Sequence, residues 1–371
     1  MRILEIVSGR AVNGAVVHGL ALAKGLADRG HDVTMACRPG AWIGDQLRSG
    51  SVTVVESDLY RWPTHELRRM ASLIRRKEID VVHTHMSRAH LFGVLLKCFV
   101  DIPVVATAHN RRLQPHWMFN DAVIAVSNDV RVFQQRYNRV RADRLRVTHP
   151  FIDTGRFRPV FPEERRGARA RLGFEDSVLV LGVVGSIFRE KRVAEVVAAY
   201  AKVHRDVPNA RLLLVGEGPP DYVEHVKASA ARLGVSQNVI WAGRRGDIPL
   251  IMGALDVLVL ASEEETFSLV LAEAMAVGRP VVAAVAGVAE TVVDGVTGLL
   301  VRPGDEAGLV EALKRLLRDP QLRSQLGEAG RAHVTTRFSE AVQLEKIEAV
   351  FAEVAEASSR HRPGPPRPRH R

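Results

Sequence analysis

Short β-branched runs alternate with helical patterns along almost the whole chain, and the alternation is interrupted only once. "RILEIVSG" reads as a strand, "GAVVHGLALAKGLADRG" as a helix and "HDVTMACRPG" as a strand leaving into a loop. The helix "WPTHELRRMASLIRRKE", the strand "IDVVHTH", the helix "SRAHLFGVLLKCFV", the strands "IPVVATAHN" and "DAVIAVS" and a helix over 128–137 follow. Such repetition is the signature of a parallel sheet covered by helices on both faces. A stretch rich in Pro, Gly and charge at 148–174 breaks the pattern, as a linker does. The alternation then restarts with "SVLVLGVVGS" and continues through "ARLLLVGEG", "NVIWAGR", "DVLVLAS" and "PVVAAVAG". The expected fold is therefore α/β: two tandem Rossmann-like, doubly wound parallel-sheet domains facing a central cleft. Residues 1–150 form the first domain, 151–174 the linker and 175–338 the second domain. A C-terminal helix over 339–358 returns toward the first domain, and a Pro- and Arg-rich tail over 359–371 is disordered.

Charge divides along the same boundary. Residues 1–150 hold 22 Lys and Arg against 13 Asp and Glu, whereas 151–358 hold 25 against 29. A basic domain suggests an acidic partner, namely anionic lipid, nucleic acid or an acidic glycan; an Arg-rich proteome is the plain alternative. Nucleic acid is set aside, since no helix-turn-helix or aromatic-platform pattern is present. The segment "RWPTHELRRMASLIRRKE" places Arg61, Arg68, Arg69, Arg75, Arg76 and Lys77 around Leu67, Met70, Leu73 and Ile74. As a helix it suits an anionic membrane surface, and equally an ordinary sheet-covering role. No apolar run is long enough to span a bilayer, and the N-terminus lacks a signal-peptide pattern. Cys37 and Cys98 lack metal-ligand spacing. The expected location is cytoplasmic, with peripheral contact to the inner face of the plasma membrane.

In open parallel sheets, ligands lie beyond the carboxyl ends of the strands, which singles out a few loops. "SGRAVNGAVVHGL" does not give the dinucleotide fingerprint with Gly9, Gly14 and Gly19, yet it leads into a helix N-terminus that favours an anion. "GSIFREKR" crowds Arg189, Lys191 and Arg192 behind Gly185, where they can neutralise a departing phosphate or form a solvated charge run. "EEETFSLVLAEAM" places Glu265 in a loop, a helix start near Phe267 and Ser268 whose amides can hold a diphosphate, and Glu273 two turns on. A carboxylate accepts two hydrogen bonds side by side, which suits a vicinal diol; an ordinary partly buried glutamate is the alternative. His83 and His85 flank Thr84 with no adjacent third ligand, which favours a structural pair over a metal site. His109 ends the strand "VVATAHN" and is a candidate sugar-hydroxyl contact.

The segment "ETFSLVLAEAMAVGRPVV", with seven residues between Glu265 and Glu273, resembles the E-x7-E segment of the retaining glycosyltransferases of the two-Rossmann (GT-B) architecture, family 4 type. "GVAETVVDGVTGLLVRPGD", "GLADRGHDV" and "PFIDTGRFRP" are similar to the same family. The resemblance covers about 1–338 and is most specific over 262–304. It implies a nucleotide-diphosphate sugar donor on the second domain and an acceptor met by the first. With the basic first domain, a lipid- or lipopolysaccharide-linked acceptor in cell-envelope synthesis is expected. No metal is expected, because basic side chains and a helix N-terminus take its place. By resemblance, Glu273 takes the ribose hydroxyls, Glu265 the donor sugar's hydroxyls, and the amides near Phe267, Ser268 and Leu269 the diphosphate. Lys191 neutralises the leaving diphosphate, Gly14 lets backbone approach the phosphate, His109 lies near the donor sugar and Arg244 meets the nucleobase. Gly185 and Arg189 complete the donor set. One departure is Ser186, where members usually carry an arginine that pairs with the lysine on the diphosphate; Arg189 and Arg192 are the nearby substitutes. A nucleotide-sugar epimerase of the same fold and an inactive nucleotide-binding scaffold are the alternatives.

Overall fold

The computed structural model describes residues 1–361, so tail residues 362–371 lie outside the described residues. The chain forms two compact units, one made of Met1–Pro150 with the chain from Ala341 on, the other of Phe151–Glu340.

The first unit contains β1 (Arg2–Val7), β2 (Asp32–Cys37), β3 (Thr53–Glu56), β4 (Val81–His85), β5 (Val104–Ala108), β6 (Ala122–Ala125) and β7 (Leu145–Val147). All are parallel, in the order β3-β2-β1-β4-β5-β6-β7. Ile3, Leu4, Ile6 and Val7 are fully buried, as a strand covered on both faces requires. The order reverses between β1 and β4, and that switch point is where such sheets open a ligand crevice. The edge strands β3 and β7 and the helix Trp42–Leu47 are not evident from the sequence pattern.

Of the two readings of the helix Thr64–Arg76, membrane-surface or sheet-covering, the structure shows the sheet-covering one. Leu67, Met70, Leu73 and Ile74 are buried against Leu4, Ile6 and Val82, so its apolar face belongs to the core. Its bases are also largely engaged: Arg69 holds Glu66 and Arg75 reaches the Phe99 carbonyl. The last helix runs Glu340–His361, further than the 358 expected. It docks on the first unit through the Phe351 ring 5.0 Å from His83, Gln343 accepting from the His149 amide at 2.9 Å, and Glu348 bound by Arg29 at 2.8 Å and His31 at 2.9 Å.

The second unit contains β8 (Leu179–Val184), β9 (Ala210–Val215), β10 (Val239–Gly243), β11 (Val257–Leu260), β12 (Val281–Ala283) and β13 (Leu299–Leu300). They are parallel in the order β10-β9-β8-β11-β12-β13, again reversing beside the first strand of the unit, between β8 and β11. Leu181, Tyr200, Leu212 and Leu313 fill one face, and Leu213, Leu258, Leu271 and Phe338 the other. The stretch 151–174, expected as a linker, is folded into this unit. Ile152 bridges Ser339, and the helix Pro162–Arg171 directs Arg165 and Arg169, one turn apart, to Asp256 at 2.8 and 3.2 Å. Arg169 is only 2% exposed and also donates to the Ala254 and Glu175 carbonyls, so a charge-rich sequence here forms buried structure.

Candidate functional site

At the switch point of the second sheet, the loop after β8 meets the loop after β11. The Glu263 amide donates to the Glu190 carbonyl at 2.8 Å, which ties the two backbones together. Lys191, in a single 3-10 turn, places Nζ 2.7 Å from Oε1 of Glu265, and Ser262 Oγ donates to the same oxygen at 3.0 Å. Two glycines hold this arrangement. A Cβ on Gly287 would lie 1.8 Å from the Glu265 carbonyl oxygen, where the neighbouring Ala286 carbonyl accepts the Glu265 amide at 3.1 Å. A Cβ on Gly216 would lie 1.8 Å from the Gly185 carbonyl oxygen, and Gly216 also has a φ of 143°. The sequence reading gave Gly287 no role; its signal was a glycine closing the run "VVAAVAG".

The helix Leu269–Ala276 starts directly after this loop. Phe267 is buried, with its ring 5.2 Å from that of Phe338, and Ser268 is buried without capping the helix through its side chain. The first turn carries no acidic residue, which leaves the helix start favourable to an anion. Glu273 lies four residues beyond Leu269. Burial pushes its carboxyl up to about 7, against the pull of Arg156, and it makes no side-chain hydrogen bond to any described residue. A carboxyl held this way gains most from a ligand that brings hydroxyl donors.

The remaining donor-side residues are more dispersed. Gly185 and Ser186 are exposed in the loop after β8. Arg189 is turned over the Tyr222 ring at 5.5 Å, and Arg192 faces Glu263 at 3.6 Å. Neither stands with Lys191 on Glu265. Arg244 is exposed after β10, the edge strand.

On the first unit, β1, β4 and β5 bring together a buried histidine network that sequence reasoning saw only in part. Glu5, an acid in the middle of the apolar "RILEIV", accepts from His83 Nδ1 at 3.0 Å and His85 Nε2 at 3.1 Å. Burial would raise its pKa, and the two imidazoles outweigh that and hold it below the usual carboxylate range. His85 Nδ1 lies 3.0 Å from His109 Nε2. Burial lowers the pKa of both His85 and His109, so both rings are neutral at pH 7. His85 then gives its Nε2 proton to Glu5 and accepts the Nε2 proton of His109, which fixes the tautomer of His109. The ligand atoms of Glu5, His83 and His85 lie within 4.8 Å of one another, close enough to hold a metal, yet they already bond one another as a proton network. Met86, next to His85, has a φ of 75°, a strained setting for a non-glycine residue beside a site. Gly14 opens the helix Gly14–Asp28, with open space where a Cβ would be, and Asn13 caps that helix by accepting from the Val16 amide at 3.1 Å.

Residues 12–156 match the family pattern described as Glycosyltransferase Family 4, and residues 164–333 that of Glycosyl transferases group 1. HepE of Anabaena, solved in complex with UDP and glucose, has the same fold: TM-score 0.85 at 23% identity, over 95% of this chain and 100% of that one. Two doubly wound sheets in tandem, each with its own switch point, are therefore the GT-B architecture. An alpha-maltose-1-phosphate synthase of Mycolicibacterium smegmatis is 32% identical over 74% of this chain and 79% of its own. An N-acetyl-alpha-D-glucosaminyl L-malate synthase of Bacillus anthracis is 28% identical over 93% and 95%. The chain belongs to the group 1 glycosyltransferases and is a transferase enzyme.

Proposed function

We propose that the protein transfers a sugar from a nucleotide-diphosphate sugar, with retention and without a metal ion. The observation that carries the reading is the Lys191–Glu265 contact beside the start of the helix Leu269–Ala276. A lysine, a helix N-terminus and two carboxylates suit a diphosphate flanked by two polyols. The complex of HepE with UDP and glucose supports such a donor. Lys191 turns from Glu265 to the leaving phosphate, and the amides of Phe267, Ser268 and Leu269 face the diphosphate. Glu265 then accepts from sugar hydroxyls, and ionised Glu273 takes the ribose diol. The C1–phosphate bond breaks as the acceptor oxygen bonds C1 on the same face, and the acceptor's proton passes to the departing phosphate oxygen. Arg244 is assigned to the nucleobase, Gly14 to close backbone approach and His109 to a sugar hydroxyl.

The acceptor in this reading is lipid- or lipopolysaccharide-linked and is met at the cytoplasmic leaflet. What supports it is an exposed surface of the first unit, where Leu113 and Tyr137 stand out beside Arg112 and Arg136, with Phe119 exposed six residues after Leu113. Asn138 fixes this surface by accepting from the Gln114 amide at 2.7 Å and donating to the Arg112 carbonyl at 2.9 Å. Among the described residues no helix is long and apolar enough to cross a membrane. The test is a panel of nucleotide sugars with lipid-linked acceptors, with and without a chelator, and the anomeric configuration of the product read by NMR. Retention and undiminished turnover in chelator are expected. Inverted product, dependence on a metal, or release of an epimerised sugar without acceptor would overturn the corresponding part.

A further inference from the structure

The opposite end of the second sheet carries a different polar site. Asp256 immediately precedes β11 and Pro280 immediately precedes β12, so both lie at the amino ends of strands whose carboxyl ends lead toward Glu265 and the Gly287 turn. A groove of about 730 Å³ lies there, lined by Arg279, Arg323, Arg331, Ser324 and Thr335. Its floor is the turn 277–280 that ends the helix Leu269–Ala276.

Arg279 is the unusual member. Its Nε is buried without a hydrogen-bond partner, and no described residue forms a salt bridge with its guanidinium. Desolvation, reinforced by Arg165 and Arg169, lowers its pKa to about 10. The nearby acid answers it only in part: Asp256 pulls its pKa back up without bonding it, and already serves Arg165, Arg169 and the Val180 amide. The other acid in the groove, Glu328, is exposed at the rim, where Ser324 donates to it at 2.8 Å. A half-buried cation whose near acid is already shared is costly, and an anion in the groove would supply a counter-charge of its own. Arg331 is exposed, and Arg323, which also lines the groove, anchors one nitrogen on the Leu316 and Leu317 carbonyls and has further N–H donors on its other two nitrogens. Arginine forks suit the oxygens of a phosphate. The volume exceeds what a lone phosphate needs and is in the range of small-molecule sites.

We propose that this groove is a second anion site, separate from the nucleotide-sugar site, in which Arg279, Arg323 and Arg331 bind the phosphate group of a phosphorylated small molecule. The helix Leu269–Ala276 spans the distance between the two, about 12 Å at 1.5 Å per residue, with the turn 277–280 at one end and Ser268 at the other.

Calorimetric titration of the full chain with inorganic phosphate, glucose 6-phosphate and glucose tests the site. Both phosphates should bind saturably, the sugar phosphate more tightly, and glucose should not bind. Arg279→Met should weaken phosphate binding at least tenfold and, because it removes a half-buried cation that has no salt bridge among the described residues, raise Tm in phosphate-free buffer. Arg331→Gln, an exposed change, should weaken binding severalfold with Tm unchanged. Lys191→Ala should leave the phosphate isotherm as in the wild type, which separates this groove from a diphosphate subsite. No saturable phosphate binding, loss of it in Lys191→Ala instead of Arg279→Met, or a lowered Tm with unchanged binding in Arg279→Met would overturn the proposal.

Discussion

Lys191 Nζ sits 2.7 Å from Glu265 Oε1, a bond between residues 74 positions apart that is made where the strand order of the second sheet reverses. The Lys191 side chain is 36% exposed and that of Glu265 15%, so solvent partly screens the bond and its contribution to stability is modest. Lys191→Ala should lower kcat about 100-fold while Tm moves by less than about 3 °C. Ser186 is exposed in the same loop, and neither Arg189 nor Arg192 is turned toward the pair. Ser186→Arg should therefore raise turnover, about tenfold. Steady-state kinetics with the cognate donor, beside thermal melts, check both; a wild-type kcat in Lys191→Ala would remove the lysine from the chemistry.

Glu273 gives a pH dependence of defined sign. Its pKa in the fold is about 7 against an ordinary value of 4.5. The folded state therefore holds the proton more tightly, a stabilisation fully present below about pH 4.5 and lost as pH rises through 7. At pH 8 the ionised, dehydrated carboxylate costs the ligand-free protein on the order of 3 kcal/mol, so Glu273→Gln should stabilise it by up to that amount. The same variant should lose nucleotide affinity. Wild-type affinity should fall as pH drops below 7, because a protonated carboxyl accepts the diol poorly. Denaturant melts and nucleotide titrations from pH 5 to 8 read both effects, and equal stability of the two proteins at pH 8 would contradict the first.

Glu5 offers a test of the histidine network. Glu5→Gln keeps the shape but removes the charge that orients His85, so the tautomer of His109 should cease to be uniform. Nitrogen NMR should show a single Nε2–H form of His109 in the wild type and a mixture in the variant. Turnover should fall about tenfold, with a smaller change in the KM for donor. Glu5→Ala would instead leave His83 and His85 without their buried acceptor and cost about 3 kcal/mol. An unchanged His109 spectrum in Glu5→Gln would show that the carboxylate does not set the tautomer.

Strand and helix periodicity carried most of the fold, because buried parallel strands such as β1 and β8 are continuous apolar runs. β3 and β7 were not legible, being edge strands of four and three residues. The stretch 151–174 misled because its arginines and prolines read as solvated. Arg165 and Arg169 in fact converge on Asp256, some ninety residues away, a relation no local pattern displays. Lys191 and Glu265 were each legible from their places after strands, whereas their contact depends on the sheet order. Glu5 was visible as an acid inside an apolar strand, yet its partners His83 and His85 enter only when β4 pairs with β1.

The surface of the first unit carries the last prediction. Since Leu67, Met70, Leu73 and Ile74 are core residues, the helix Thr64–Arg76 has no apolar face to offer a bilayer. Leu113, next to Arg112, is 70% exposed, Phe119, six residues on, is 56% exposed, and Arg136 is exposed beside Tyr137, so these segments supply both the apolar and the cationic component. Neither residue supports a core, so Leu113→Ser with Phe119→Ser should leave Tm within about 2 °C. The double variant should reduce co-sedimentation with anionic vesicles severalfold, because wedging apolar side chains into the interface is lost. Arg112→Gln with Arg136→Gln should reduce it too, and only here should the residual binding become less sensitive to salt, since exposed charges are what salt screens. Changing Arg69 and Arg75, which are held by Glu66 and the Phe99 carbonyl, should matter less. Pelleting that is equal on neutral vesicles, or unaffected by all four changes at Arg112, Leu113, Phe119 and Arg136, would assign the acceptor to solution instead of a membrane.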